Sequence, residues 1–304
     1  MNQPNTQKIP VILDTDVGSD IDDMWAIAMM LGSPELDVKL ILTDHGNTEY
    51  RAKIVAKFLE ASGRTDIPVG VGIKSSAQIE AQGRWVEGYN LDSYPGKVYR
   101  DGVGAMISMI MNSSVPITLI SIAPVPNLAE ALAREPAIAH KTRFVGMQGS
   151  VRKGYLGSAK ISAEYNVWVN PQACQRVFSA PWEMVITPVD TCGLVKLSGA
   201  KYRQVQQSQT KTIQALMENY RIWDEEYKGE KHSAGYGTES TILYDTVAIY
   251  LVYSEKLLHM EELGIRVTDD GFTMIDDTAK PIRCATGWKD LTAFEDLLVH
   301  RLIG

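Results

Sequence analysis

Short apolar runs alternate with stretches of helical period along this chain. "PVIL" (10–13) predicts a strand and residues 22–31 a helix. "LDVKLILT" (36–43) predicts a second strand, followed by an amphipathic helix over 48–63 that ends at Gly63. Further strands are expected at 67–72, 116–123, 142–148 and 183–188, with helices at 102–112 and 127–136. The strand segments are continuously apolar, as in a parallel sheet buried on both faces. Their βαβα order predicts an α/β fold: an open, mostly parallel central sheet with helices on both faces. No linker rich in Pro, Ser or Gly divides the chain and no repeat is visible, so residues 1–304 read as one domain.

Two stretches break the rhythm. Residues 74–100 and 226–240 are polar, contain glycine and are punctuated by aromatics. Irregular segments of that length in an α/β domain suit binding loops or lids as well as ordinary surface loops. "RVTDDGFTMID" (266–276) places Asp-Asp-Gly between alternating residues, which predicts a peripheral hairpin.

Composition narrows the function. With 304 residues, 45% of them hydrophobic, the chain can bury a large core. A net charge of −7 without any Lys/Arg block argues against nucleic acid or an anionic membrane as partner. The N-terminus lacks the apolar core of a signal peptide, and no apolar run is long enough to span a bilayer. Cys174, Cys192 and Cys284 form neither a disulfide framework nor a zinc motif. A cytoplasmic location is expected.

The densest chemistry is "DTDVGSDIDD" (14–23), five aspartates in ten positions between two apolar segments. Asp14 and Asp16 fall at the carboxyl end of a strand, where open parallel sheets bind ligands, and their spacing directs both side chains the same way. Gly18 permits a tight turn that folds Asp22 and Asp23 back towards them, in the first turn of a helix. Two like charges about 4 Å apart repel by roughly 4 kcal/mol at an effective dielectric of 20. Several such pairs in a crevice require a cation, and carboxylate oxygens without His or Cys nearby favour calcium or magnesium. An EF-hand does not fit, because counting from Asp14 its glycine and glutamate positions hold Ser19 and Trp25.

"DTDV" resembles the start of the haloacid-dehalogenase phosphatases, a magnesium-dependent reading in which Asp14 is the nucleophile, but it leaves Asp22 and Asp23 without a role. "ILDTDVGSDIDDMWAI" (12–27) more fully resembles the D-x-D-P-G-x-D-D fingerprint of the inosine–uridine preferring nucleoside hydrolases. Here the spacing is two residues longer and Val17 stands where that family has proline. "DHGNT" (44–48), "ITLISIAPVPNLAEAL" (117–132), "SAEYNVWVNP" (162–171) and "LYDTVAIYL" (243–251) are similar to later segments of the same family, in the same order. Ordered matches from residue 14 to residue 251 are far more specific than any one of them.

The resemblance implies calcium-dependent hydrolysis of the N-glycosidic bond of ribonucleosides, in purine or pyrimidine salvage, by a homo-oligomer (dimer or tetramer). It implies calcium held by Asp16, Asp23, the Ile122 carbonyl and Asp245, with Asp16 as general base towards the attacking water. It also implies ribose contacts from Asp22, Asn47, Glu164 and Asn166. Many members have His immediately before the distal aspartate, whereas this chain has Tyr244; Ser158 likewise stands where Asn is common. The general acid is therefore open between Tyr244 and two residues of the 226–240 segment, His232 and Tyr236. Trp85, Tyr89, Trp168, Tyr236 and Tyr244 can stack on a base, although core packing suits Trp168 better. Loss of the usual His also admits a protein that binds nucleoside or ribose without turnover.

Overall fold

The computed structural model describes residues 7–76, 79–226 and 236–304. In chain order, β1 (Ile9–Thr15) leads through the acidic loop into α1 (Asp22–Leu31), and β2 (Leu36–Thr43) leads into α2 (Thr48–Ala61). β3 (Val69–Val71) precedes an irregular stretch with 3-10 turns at Gly83–Val86 and Leu91–Ser93, which ends in β4 (Val98–Tyr99). Then come α3 (Gly102–Asn112), β5 (Ile117–Ser121), α4 (Pro126–Arg134), β6 (Thr142–Met147), α5 (Tyr165–Trp168), α6 (Pro171–Ser179) and β7 (Glu183–Thr187). The last third holds α7 (Val189–Cys192), α8 (Gly199–Gln206), α9 (Lys211–Glu226) and α10 (Thr246–Leu251). It closes with β8 (Leu258–Val267), β9 (Thr273–Ile275), β10 (Pro281–Trp288) and α11 (Leu291–Ile303).

Among the described residues these strands form one ten-stranded sheet in the order β4-β3-β2-β1-β5-β6-β7-β10-β8-β9. Every pairing from β4 through to β10 is parallel; only β10–β8 and β8–β9 are antiparallel. The central strands β1, β5, β6 and β7 are buried on both faces, which is why they do not alternate in sequence. Val11 and Leu13 of β1 enter one core with α1, α2, α9, α10 and α11. Ile12 enters the other, with residues of α3, α4 and α6.

From β1 the chain winds outwards through β2 to β4, then returns to β5 on the other side of β1. The ends of β1 and β5 therefore flank a topological switch point, the crevice in which open α/β sheets bind ligands. The acidic loop leaves β1 there, and Ile122 follows β5. The 266–276 segment forms the expected turn between β8 and β9.

Candidate active site

Above this switch point lies a cleft of about 290 Å³. It is lined by Asp16, Ser19, Asp20, Asp22, Asp23, Ile122, Asp245, Glu164 and Asn166, with Tyr155, Tyr165, Tyr244, Met147 and Ile79. Asp22, Asp23 and Asp245 are buried, and each brings a carboxylate oxygen within 4.8 Å of the others. Two come from the first turn of α1, and the third sits immediately before α10, distant in sequence and packed on α1. The trio includes Asp22, which the resemblance assigns to a ribose hydroxyl; Asp16 lines the same cleft but stands outside the trio.

Burial, then repulsion from neighbouring aspartates, Asp16 among them in each case, holds Asp22, Asp23 and Asp245 well above the usual carboxylate range. Burial lifts Asp16 to about 6, against the opposing pull of the Arg51 guanidinium. The aspartates are thus stable as a group only with protons or a cation among them. Their donor set is all oxygen, with no His or Cys lining the cleft among the described residues, which fits a hard divalent ion.

The loop backbone accounts for two sequence features. Gly18 has φ 114°, and a Cβ there would lie 2.8 Å from Ile54 Cδ1 and Tyr50 Cε1, so the turn accepts only glycine. The Thr15 hydroxyl donates to Asp23 Oδ1 (2.5 Å) and accepts the Val17 N–H (3.2 Å). Proline at residue 17 has no N–H to complete that relay.

Glu164 and Asn166 enter the cleft through the N-terminus of α5. Glu164 caps that helix: one oxygen accepts from Asn166 N (2.9 Å) and the other from Gly149 N (2.8 Å). Burial raises Glu164 to about 7 despite these bonds. Asn166 donates its amide to the Met147 carbonyl (3.1 Å), which fixes its orientation. Tyr244 lines the cleft, its ring edge-on to Tyr155 at 6.1 Å, and burial pushes its phenol above the ordinary value.

Other expected residues lie elsewhere. Asp14 is buried and does not line the cleft; it accepts from Asn127 Nδ2 (2.8 Å) beside Asp44, and burial lifts it to about 7. Asn47 caps α2 through Tyr50 N (3.2 Å) and donates to Glu80 (2.7 Å), so its side chain serves the helix and the neighbouring segment rather than the cleft wall. The Tyr236 ring packs edge-on against Tyr220 at 5.5 Å, outside the cleft lining. His232 lies outside the described residues. Trp85 is core, Tyr89 bonds Glu60 (2.8 Å), and Trp168 is 57% exposed rather than packed inside. Ser158 is exposed.

Sequence reasoning missed Arg51, Tyr155 and Tyr165. Tyr165 was legible, standing between Glu164 and Asn166. Arg51 also left a signal, because it shares a buried α2 stripe with Val55 and Phe58, where a charge demands explanation.

Comparison with known proteins decides what this cleft belongs to. The model of the family "Inosine-uridine preferring nucleoside hydrolase" matches residues 11–295. The chain belongs to that family. It is therefore an N-glycosidase, a ribonucleoside hydrolase by class, which displaces the phosphatase and non-hydrolytic readings. Asp14, buried behind the cleft, is also badly placed for a phosphatase nucleophile. A pyrimidine-specific ribonucleoside hydrolase RihA from Enterobacter sp. (strain 638) is 26% identical, covering 97% of each chain. A non-specific ribonucleoside hydrolase RihC from Klebsiella pneumoniae is 30% identical over 70% of this chain and 73% of its own. A plant nucleoside hydrolase structure superposes with a TM-score of 0.79 at 22% identity, covering 98% of this chain and all of that one, which shows the shared fold.

Proposed function

We propose that the protein hydrolyses the N-glycosidic bond of ribonucleosides with calcium in the acidic cleft and Asp16 as general base. The convergence of Asp22, Asp23 and Asp245 within 4.8 Å, in a cleft that Asp16 and Ile122 also line, carries this reading. Asp16, Asp23, Asp245 and the Ile122 carbonyl would hold the ion, an oxygen set suited to calcium. The bound cation supplies charge that makes water a better nucleophile and anchors the sugar hydroxyls.

The chain's own residues do the rest. Asp16, ionised beside a cation, accepts the proton of the attacking water. Asp22 hydrogen-bonds a ribose hydroxyl. Glu164 and Asn166, both held by backbone contacts, fix the ring while oxocarbenium character develops at the anomeric carbon. Tyr155, Tyr165 and Tyr244 give the base an aromatic wall. Tyr244, edge-on to Tyr155 in the cleft wall, shapes the base site, and the leaving base is activated by its own electronics. The family's homo-oligomeric state and a cytoplasmic location complete the proposal; no described helix is long and apolar enough to cross a membrane.

The test is to incubate the pure protein with a panel of ribonucleosides, with and without chelator, and chromatograph for free base. Release that stops on chelation and returns with calcium is expected. Release that is indifferent to chelator would overturn the metal reading.

A further inference from the structure

Five consecutive carbonyls of the acidic loop are gripped from outside it. Arg51 Nη1 donates to those of Asp16 and Val17, the latter at 2.8 Å. The Tyr50 hydroxyl (3.1 Å) and Ala81 N (2.9 Å) donate to Gly18, Trp223 Nε1 to Ser19 (3.1 Å) and Gln82 Nε2 to Asp20 (2.8 Å). Arg51 is the centre of this grip. It is only 1% exposed, and its remaining bonds go to the His45 carbonyl (2.7 Å) and Ser19 Oγ (2.8 Å).

A buried guanidinium ordinarily pairs with a carboxylate. Arg51 stands close enough to Asp16 and Asp23 to influence both, yet its N–H groups bond two loop carbonyls, the His45 carbonyl and a hydroxyl. The carboxylates are left to face the cleft. This arrangement answers a mechanical problem set by the sequence. The loop is two residues longer than the family fingerprint and has Val17 in place of proline, and both differences give a chain more conformations to lose.

We infer that Arg51 is a positioning residue of the metal site, holding the lengthened loop by its Asp16 and Val17 carbonyls so that Asp16 and Asp23 converge on the ion with Asp22 beside them. This inference rests on the calcium reading above. Arg51 does not line the cleft, and acts through the loop. Removing such support from behind metal ligands typically costs ten- to a hundredfold in metal affinity.

The test is calorimetric titration of calcium into chelator-stripped, full-length protein, alongside thermal unfolding in chelator. Arg51→Lys keeps the charge and loses the planar fork; calcium affinity should fall at least about tenfold, with activity recovered at saturating calcium. Tyr50→Phe keeps the ring and removes the bond to the Gly18 carbonyl together with the one the hydroxyl accepts from Gln82 N (2.9 Å), and should weaken binding by a smaller factor. Phe294→Leu, a core truncation in α11, controls for lost stability and should lower Tm without moving calcium affinity. Affinity within twofold of wild type in Arg51→Lys overturns the inference alone. Should that variant fail to fold, unchanged affinity in Tyr50→Phe overturns it. Wild-type protein that takes up no calcium overturns the metal reading and the inference together.

Discussion

A carboxylate buried against two others keeps its charge only opposite a cation, and Asp23 is the clearest case: it is 3% exposed and receives one short hydrogen bond, from Thr15. Asp23→Asn keeps the shape and removes the charge, so it should weaken metal binding by two orders of magnitude or more while leaving the fold intact; calorimetry checks this. Asn166→Ala should lower kcat by roughly a hundredfold or more with little change in KM, because its contact matters most as charge develops on the ring. Tyr244→Phe should lose less than about tenfold, by the same factor on natural nucleosides and on p-nitrophenyl riboside, whose leaving group departs unprotonated. A hundredfold loss confined to natural nucleosides would make Tyr244 the acid. The acidic wall of the cleft was legible in the sequence because Asp16, Asp20, Asp22 and Asp23 sit in one contiguous run. Asn47 is harder to read, because a helix cap and a ribose ligand look alike in sequence; the fold shows its side chain bonded to Glu80 and to Tyr50 N.

Among the elements, α1, β2 and α3 fall where the apolar pattern put them, since their periodicity and their flanking residues agree. The carboxyl-terminal strands were largely invisible beyond the hairpin turn. β8 contains "HMEEL", residues of good helical propensity, and is a strand because β10 pairs with it along its length. The partners of Arg51 were hidden for a related reason, since they are two carbonyls 34 and 35 positions earlier and a hydroxyl 32 positions earlier, which no local pattern announces. The short helix α5 shows how an element builds a site: Glu164 caps it and also ties it to Gly149. Glu164→Ala should cost about 1–2 kcal/mol of stability through the lost cap, and Glu164→Gln, which keeps an acceptor oxygen, clearly less. Denaturant unfolding of the two variants separates these outcomes.

For the whole molecule, the acidic cleft links stability to pH and metal. In the metal-free fold Asp16 and Glu164 titrate near 6 and 7, whereas unfolded carboxyls release protons near pH 4. Between those values the folded state binds more protons than the unfolded one. The stabilisation from these groups is therefore complete below about pH 4 and is lost as pH rises through 6 to 7. Chelated protein should show a Tm contribution that falls over that window. Calcium should flatten the slope by replacing the protons, with proton release visible as a buffer-dependent heat of binding. The most direct test of the central claim is elemental analysis of protein purified without added metal, set beside its hydrolytic activity. About one divalent ion per chain, calcium, is predicted for wild type, with little or none in Asp23→Asn and activity falling in parallel. Full hydrolysis of ribonucleosides by wild-type protein that carries no divalent ion would contradict the account.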